Sequence, residues 1–332
     1  MTSHQYPQQP RGDRLLQTLC LVCSVLLLLG NTAKALEASI LAGQRCLYAP
    51  CQRPSQQPLL VILGGMAQSI ASWEQHVPAL SQSRSLLIYE ARGQGPPTAN
   101  KNMAEDYLKD VSLPAQAQYL VNTLDELQHQ QQQGQEGTEL VDIAGFSLGG
   151  RIAMAMAALY PQRIRKLHLT GVAADRSVLG HLTVRSWKDH VRNSHNLKSF
   201  AWSVLLATYS PTYLDHLQDQ GKLEAIINFV AQQNTAAGLA ALLEQAHVSS
   251  DDDMWSTTGM ARQIMASKNK MRGCLCVGEL DSDMAPVSKV VELSEILQWD
   301  PPTILENCGH AVPMEQARPW RNHLLEFLND PS

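Results

Sequence analysis

One serine lies in a pattern that favours nucleophilic chemistry. The segment GFSLGG places Ser147 between Gly145 and Gly149, directly after an apolar run and ahead of a helical pattern. A strand, a sharp turn and a helix would present its hydroxyl at a helix N-terminus, where backbone N–H groups favour developing negative charge. Chance alone gives a G-x-S-x-G pattern in roughly one chain of this length in ten. The surrounding residues therefore have to support the prediction.

A serine nucleophile needs a histidine base and a carboxylate that orients the histidine. His310 lies in the segment GHAVPMEQ, after a strand-like run and before the last helical pattern. Asp281 and Asp283 both lie in GELDSDMAP, just past another strand-like run. The G-x-x-D spacing with a proline soon after favours Asp281, and Asp283 is the alternative. The residues predict a triad of Ser147, Asp281 and His310.

A second glycine-containing turn could form an oxyanion hole. The strand-like run in LVILGGM ends in two glycines, which let the backbone approach a ligand and present N–H groups. We expect the backbone N–H groups of Met66 and Leu148 to be the two donors, with Gly65 beside the substrate.

The elements that must position these residues alternate along the chain. Short apolar runs rich in β-branched residues cover 59–63, 85–89, 139–144, 164–170, 273–277 and 303–305. Helical patterns cover 115–127, 151–159, 287–297 and 316–328. Near-continuous apolar strands separated by helices predict an α/β fold with a mostly parallel central sheet flanked by helices.

Two segments depart from this alternation. Strand-like runs are missing from 173–267, which predicts an inserted helical cap between a first core part, 36–172, and a second core part, 268–332. Trp187 and other large apolar residues in the cap predict a small-molecule substrate with an apolar portion. The glutamine-rich segment 128–135 predicts a solvated loop.

The N-terminal residues have the features of a signal peptide, predicted over 1–35. Arg11 and Arg14 precede the apolar run 19–29, and a small-x-small motif ends at Ala35. The run is shorter than the roughly 18 residues that span a bilayer, so no stable membrane span is expected after cleavage. The expected location is the secretory pathway, and the plastid of an alga with complex plastids is the alternative.

Charge and cysteine content argue against several classes of function. The net charge is -5 and no Lys/Arg cluster is interleaved with aromatics, so no nucleic-acid partner is expected. No C-x-x-C pair follows residue 35, and Cys274 and Cys276 alternate as strand residues would, so neither a metal site nor another cofactor is predicted. Five cysteines follow residue 35, an odd number, and Cys46 and Cys51 could pair in an oxidising compartment.

From residue 59 to its C-terminus the chain resembles the α/β-hydrolase superfamily, of the AB hydrolase-1 type. The resemblance lies in GFSLGG, GELDSDMAP, GHAVPMEQ and the RGQG loop at 92–95. It implies the order nucleophile, acid, base that the triad shows. Relatives commonly have His-Gly where this chain has Gly64 and Gly65, so any contact made by that histidine is lost.

Within the superfamily, GFSLGGRIAMAMAALYP is similar to the 2-succinyl-6-hydroxy-2,4-cyclohexadiene-1-carboxylate synthases, which eliminate pyruvate. The likeness lies in Arg151, one helical turn after the serine, and in Arg185 and Asp189 of RSWKD. Arg151 could bind a substrate carboxylate through two hydrogen bonds and Arg185 could supply a second contact. Alternatively, Arg151 pairs with a nearby acid and only stabilises the structure. A later cap arginine of those synthases is missing from NFVAQQN.

Three functions follow from these residues. The first is a serine hydrolase that acts on a carboxylic ester, lactone or thioester through an acyl-enzyme. The second is a pyruvate-eliminating lyase of quinone biosynthesis, similar to the synthases. The third is a non-catalytic ligand receptor on the same fold, against which the complete triad argues.

Overall fold

The central sheet forms where the sequence is apolar on both faces of the strands. The computed structural model describes residues 38–53, 55–96, 105–131, 140–193, 197–245, 253–269 and 271–331. The predicted signal peptide, 1–35, lies outside these residues. In the described residues the strands are β1 Ser39–Leu41, β2 Gln44–Ala49, β3 Leu60–Leu63, β4 Leu86–Tyr89, β5 Val141–Phe146, β6 Ile164–Thr170, β7 Arg272–Gly278 and β8 Thr303–Leu305.

These strands form one sheet in the order β1-β2-β4-β3-β5-β6-β7-β8. Strands β2 to β1 and β2 to β4 pair antiparallel, and every other neighbouring pair is parallel. Parallel neighbours bring the carboxyl ends of β3, β5, β6, β7 and β8 to one edge, where the loops that follow them meet. The prediction of a mostly parallel sheet is confirmed.

The hairpin of β1 and β2 is an element that the sequence patterns did not predict. Its two-residue turn has positive φ at both Ala42 (47°) and Gly43 (73°), as the right-handed twist of a two-residue hairpin requires. The thiol of Cys46 is buried in β2, whereas Cys51 follows the strand and its Sγ lies 3.8 Å from the Gln82 carbonyl oxygen. Both thiols are free in this structure.

Helices cover the sheet and connect its strands. Their bounds in the described residues are α1 Val77–Leu80, α2 Leu113–Gln131, α3 Leu148–Leu159, α4 Val178–Asn193, α5 Lys198–Thr208, α6 Pro211–Asp219, α7 Leu223–Gln232, α8 Ala236–Gln245, α9 Thr257–Ala266, α10 Val287–Leu297, α11 Val312–Glu315 and α12 Ala317–Asn329. The expectation of a loop over 128–135 is wrong for 128–131, which complete the last turn of α2, and the rest lies outside the described residues.

The core lies on both faces of the sheet because strand side chains alternate. In β3, Val61 and Leu63 pack in the cluster that includes α2, α3 and α10, whereas Leu60 and Ile62 pack with α1 and α12. All four residues are buried, which explains why the strand is apolar without alternation. The predicted α/β class with helices on both faces is confirmed.

Helices α4 to α9 lie between β6 and β7, and we refer to 178–266 as the helical segment. Its described residues contain no strand. The boundaries 173–267 and the covering role of a cap stay predictions. No helix in the described ranges combines the length and the apolar character that crossing a membrane requires.

A buried histidine on β6 belongs to a chain of hydrogen bonds. The His168 Nε2 and His323 Nδ1 atoms are 3.0 Å apart, and the Thr303 hydroxyl is 2.9 Å from His323 Nε2. Burial, with a smaller contribution from His323, lowers the pKa of His168 to about 3. Burial, with a smaller contribution from Arg321, also lowers the pKa of His76 to about 3. Both imidazoles are therefore neutral in the folded protein at neutral pH.

The buried histidines make the fold sensitive to mild acid. Below pH 6.5 the unfolded chain protonates each imidazole and the folded chain does not, so stability falls as the pH falls. At pH 5 we expect each histidine to lower the free energy of unfolding by about 2 kcal/mol relative to pH 8. Urea unfolding at pH 8 and at pH 5 measures this change in the free energy of unfolding. Between the two pH values, His168→Gln should lose about 2 kcal/mol less stability than the wild type.

His216 is exposed, so His216→Gln is the matched control. It should show the same pH dependence of stability as the wild type. An unchanged loss of stability in His168→Gln would contradict the prediction.

Candidate active site

Ser147 lies in the sharp turn between β5 and α3. Its φ of 51° and ψ of -114° are unusual for a residue with a side chain, and such strain is typical of functional sites. The Ser147 N–H donates to the Thr170 carbonyl oxygen over 2.9 Å, which fixes the turn to the end of β6. A Cβ atom at Gly149 would lie 2.2 Å from the Leu63 carbonyl oxygen. Only glycine allows α3 to start this close to β3.

The structure brings Ser147, His310 and Asp281 together, although they are far apart in the sequence. The His310 Nε2 atom lies 2.9 Å from Ser147 Oγ, and His310 Nδ1 lies 2.5 Å from Asp281 Oδ2. The other carboxylate oxygen, Oδ1, accepts the N–H groups of Met284 (3.1 Å) and Ala285 (2.9 Å). His310 and Asp281 are buried, so these hydrogen bonds form away from bulk water.

The alternative acid, Asp283, lies in a different set of contacts. Its Oδ1 atom accepts the Ser177 hydroxyl over 2.7 Å, and its carbonyl oxygen accepts the Ser177 N–H over 3.1 Å. Asp283 thus anchors the residues that precede α4. Asp281 is the acid that the structure brings to His310.

A glycine at the end of β6 makes room for the imidazole. Gly171 has a φ of +62°, and a Cβ atom there would lie 2.9 Å from His310 Cε1. The ring of Phe146, the residue before Ser147, also packs on His310, with its centroid 5.2 Å from the imidazole centroid. Neither contact was predicted from the sequence. A glycine directly after a strand was the available signal for the first.

The loop that carries His310 is tied to the helical segment. Glu315 Oε1 accepts the N–H groups of Gly309 and Ser210, each over 3.1 Å. The N–H of Ala311 donates to the Thr208 carbonyl oxygen over 2.8 Å. Burial raises the pKa of the Glu315 carboxyl group, and its hydrogen bonds from Ser210 and Gly309 act in the opposite direction. The position of His310 therefore depends on the junction of α5 and α6.

The two predicted oxyanion-hole residues lie at the cavity that contains the serine. Met66 and Leu148 both line the same cavity as Ser147. Leu148 is the first residue of α3, so its N–H is one of those that a helix leaves unbonded. The N–H of Gly65 instead donates to Gln68 Oε1 over 2.7 Å, and a Cβ atom at Gly65 would lie 3.3 Å from the Ser147 Cβ. Gly65 supports the turn by its small size.

A cavity of about 350 Å³ opens beside Ser147 and His310. One part of its wall is apolar and comes mainly from the helical segment and the His310 loop: Val204, Leu205, Tyr209, Tyr213, Ile226, Phe229, Val230 and Met314. Another part is polar and charged: Arg151, Asp175, Arg176, Ser256 and Thr257. A bound molecule would contact both kinds of surface.

Arg151 and Trp187, two residues predicted to contact the substrate, both line this cavity. The Arg151 side chain is 7% exposed, and its Nη2 atom donates to the Trp255 carbonyl oxygen over 3.5 Å. Trp187 donates its indole N–H to Ser203 Oγ over 3.1 Å, which leaves its ring as an apolar surface. The predicted roles of both residues are compatible with their positions.

The second predicted arginine lies elsewhere. Arg185 is exposed on α4 and is not one of the cavity-lining residues of the described chain. Arg176, which precedes α4, lines the cavity instead. Arg176 was not predicted from the sequence, because no periodic pattern marks the direction of a side chain in that loop.

One group of side chains in the described residues has the donor atoms of a metal site. The ligand atoms of His168, Cys274 and His323 lie within 4.8 Å of one another. The hydrogen bonds of the two imidazoles already account for their arrangement, and burial raises the pKa of the Cys274 thiol. His168 of β6 and Cys274 of β7 are paired neighbours in the sheet, and none of the three side chains lines the cavity.

The chain is similar to one protein family and to several known proteins. A family model described as alpha/beta hydrolase fold matches residues 58–198. A provisionally named carbamate hydrolase, RutD, of Pseudomonas savastanoi pv. phaseolicola is 23% identical over 288 residues, which cover 84% of this chain and 96% of the relative. A provisionally named 2-succinyl-6-hydroxy-2,4-cyclohexadiene-1-carboxylate synthase of Bacillus subtilis (strain 168) is 24% identical over 279 residues, 83% of this chain and 92% of the relative.

Solved structures agree with this likeness. The enol-lactonase from Burkholderia xenovorans LB400 superposes with a TM-score of 0.68 at 19% identity, covering 89% of this chain and all (100%) of that chain. At this identity the superposition shows the fold alone.

Proposed function

The chain belongs to the α/β-hydrolase superfamily, and from that premise we propose that it is a serine hydrolase that cleaves a carboxylic ester, lactone or thioester. One observation carries the proposal, namely the hydrogen-bond chain from Ser147 Oγ through His310 to Asp281 beside a cavity. A serine hydroxyl becomes a useful nucleophile when a neighbouring imidazole can take its proton.

In the first step His310 Nε2 accepts the hydroxyl proton while Ser147 Oγ forms a bond to the acyl carbon. The carbonyl electron pair moves to its oxygen, and the N–H groups of Met66 and Leu148 donate to the oxyanion. The bond to the leaving oxygen or sulfur then breaks, and His310 gives the proton to the leaving group. Asp281 keeps Nδ1 protonated and stabilises the imidazolium throughout.

In the second step a water molecule replaces the leaving group. His310 accepts one of its protons while the water oxygen bonds to the acyl carbon of the acyl-enzyme. The acyl bond to Ser147 Oγ breaks and the proton returns to the serine. A carboxylic acid leaves and the enzyme regains its starting state.

The cavity wall supports a substrate with an apolar portion. Trp187 and the aliphatic residues of α7 would contact it, and burial of that portion would supply binding energy. We propose that the helical segment acts as a cap that separates the acyl-enzyme from bulk water.

A fluorophosphonate probe tests the nucleophile directly. We expect the probe to label the folded protein at Ser147 and to leave Ser147→Ala unlabelled, because phosphonylation requires a nucleophilic hydroxyl. Intact-mass spectrometry and peptide mapping would measure the modification. Ser72 lines the same cavity, so Ser72→Ala is the matched control and should be labelled like the wild type.

Absence of labelling in the wild type, or equal labelling of Ser147→Ala, would contradict the proposal. If the protein binds a ligand but is neither labelled nor shows turnover, the result would favour a non-catalytic ligand receptor.

A lyase similar to the pyruvate-eliminating synthases is a second candidate. Its support is the position of Arg151 in the cavity, where a substrate carboxylate could bind, together with the synthase-named relative. In that reaction the Ser147 and His310 pair would abstract a proton instead of forming an acyl-enzyme. The position of Arg185 outside the cavity removes one expected contact.

Turnover of p-nitrophenyl esters with graded chain length separates the two candidates. A hydrolase would release p-nitrophenol with multiple turnovers, and a lyase would not. Replacement of Arg151 by lysine should weaken a lyase that recognises acids more than a hydrolase of neutral esters, because lysine lacks the planar fork.

A further inference from the structure

The turn that carries the predicted oxyanion donor Met66 has an unfavourable backbone conformation. The Gln68 N–H donates to the Gly65 carbonyl oxygen over 3.2 Å and closes a four-residue turn. The third residue of this turn, Ala67, has a φ of +64°. This is the pattern of a type II turn, which favours glycine at its third position because a Cβ atom is strained at positive φ. An alanine in this conformation needs support from the surrounding structure.

The support comes from Asn234, which follows α7 in the helical segment. The Asn234 Nδ2 atom donates to the carbonyl oxygens of Ala67 and Val230, each over 3.0 Å. Because both partners are carbonyl oxygens, the amide nitrogen has to face them. Next to Asn234, the Ser69 hydroxyl donates to Gln233 Oε1 over 3.3 Å. The residues after α7 therefore hold the turn and its neighbour at two adjacent points.

The burial of Asn234 is unfavourable in itself. The residue is 5% exposed, and its Oδ1 atom has no hydrogen-bond partner within the described part of the chain. A leucine would fill a similar volume without leaving a buried polar atom unpaired. The two donated hydrogen bonds explain the amide, and only the one to Ala67 leaves the helical segment. Asn234 is not one of the described residues that line the cavity, so it acts through the turn.

Two peptide groups connect Asn234 to Met66. The Ala67 carbonyl that accepts from Asn234 belongs to the same planar peptide as the Gln68 N–H. That N–H donates to the Gly65 carbonyl, which shares a second planar peptide with the Met66 N–H. A donor at one end of such a chain orients and polarises the groups that follow it. The Asn234 side chain thus fixes the direction of the Met66 N–H.

We infer that Asn234 is a positioning residue for the oxyanion hole, because it holds the turn at 65–68 in the conformation that directs the Met66 N–H toward the carbonyl oxygen of a substrate at Ser147. The inference rests on the proposed function and deepens it. The helical segment also holds the His310 loop. The base and the oxyanion hole therefore both depend on the position of this segment.

Asn234→Leu tests the inference because it keeps the volume and removes the donor. We expect kcat for p-nitrophenyl butyrate to fall by about 10- to 100-fold, close to the effect of deleting one oxyanion donor. KM should change by less than about threefold, because a ground-state carbonyl gains little from those donors. Titration of the active sites with a fluorophosphonate refers each rate to folded protein.

Gln232 is exposed at the last position of α7, so Gln232→Leu is the matched control and should keep the wild-type kcat. Asn234→Ala removes the same donor with a smaller side chain. It is the second variant should Asn234→Leu fail to fold, and its kcat should fall in the same range.

Ala67→Gly in the Asn234→Leu background separates positioning from a general loss of stability. Glycine adopts positive φ without strain, so the turn can keep its conformation without the hydrogen bond. We expect kcat per titrated site to recover by at least about threefold relative to Asn234→Leu, although the donor is still missing. A merely structural role of Asn234 would give no such recovery.

A trifluoromethyl ketone, 1,1,1-trifluoro-2-hexanone, gives a second readout. Ser147 Oγ bonds to its carbonyl carbon while His310 accepts the hydroxyl proton, and the carbonyl electron pair moves to the oxygen, which then occupies the oxyanion hole. The Ki of this inhibitor should rise in Asn234→Leu by about the factor by which kcat falls.

Wild-type kcat and Ki in Asn234→Leu would overturn the inference and leave the hydrolase intact. A loss confined to KM, or a loss of kcat that Ala67→Gly does not relieve, would overturn it as well. A wild type that is neither labelled by the fluorophosphonate nor active would refute the proposed function, and the inference with it.

Discussion

Replacing Ser147 by alanine is expected to lower kcat/KM for an activated ester by about 10⁵- to 10⁶-fold. The variant loses the atom that bonds to the acyl carbon, and the rate that remains comes from binding and oxyanion stabilisation alone. The backbone should stay in place because the Ser147 N–H, which bonds to the Thr170 carbonyl oxygen, is retained. Initial rates with p-nitrophenyl butyrate, with wild-type sites titrated by a fluorophosphonate, measure the loss. A variant within tenfold of the wild type would contradict the nucleophile assignment.

A glycine at the same position separates chemistry from strain. Ser147→Gly removes the hydroxyl and also the Cβ atom that makes a φ of 51° unfavourable. We expect it to be as inactive as the alanine variant but more stable than it by about 1 kcal/mol, since relief of strain exceeds the added entropy of the unfolded chain. Urea unfolding of the two variants measures the difference.

Replacing Asp281 by asparagine is expected to lower kcat by about 10⁴-fold while the fold is preserved. An amide N–H facing His310 Nδ1 would favour the tautomer with its proton on Nε2. That nitrogen lies 2.9 Å from Ser147 Oγ and could then no longer accept the hydroxyl proton. The loss should appear mainly in kcat, because Asp281 is not one of the described residues that line the cavity.

Asp283→Asn is the matched control, two residues along the same loop. Asp283 bonds to Ser177 and not to His310, so we expect its change to reduce kcat by less than about tenfold. The reverse order of the two effects would assign the orienting role to Asp283.

Local patterning predicted much of the sheet. Runs of residues buried on both faces are apolar without interruption, and they marked β6 and β8 to the residue and the other parallel strands within two residues. The hairpin of β1 and β2 was missed because Ser39, Gln44 and Arg45 break the apolar run, and its turn depends on positive φ at Ala42.

The candidate site was only partly visible in the sequence. Ser147, Asp281 and His310 each follow a strand-like run, and parallel strands bring the ends of such runs to one edge of a sheet. Gly171 and Glu315, which make room for His310 and hold its loop, were not predicted. Their roles depend on contacts between segments more than 100 residues apart.

The sequence by itself determined the α/β class and the order of the chemically important residues, because strand burial, glycine turns and helix periodicity are local properties. The tertiary structure decided which of two aspartates meets His310 and which arginines surround the cavity. Asp281 and Asp283 differ by two residues, and Arg176 and Arg185 by nine, so spacing alone cannot tell them apart. The direction of each side chain is set by packing against elements distant in the chain, and that direction is a property of the fold.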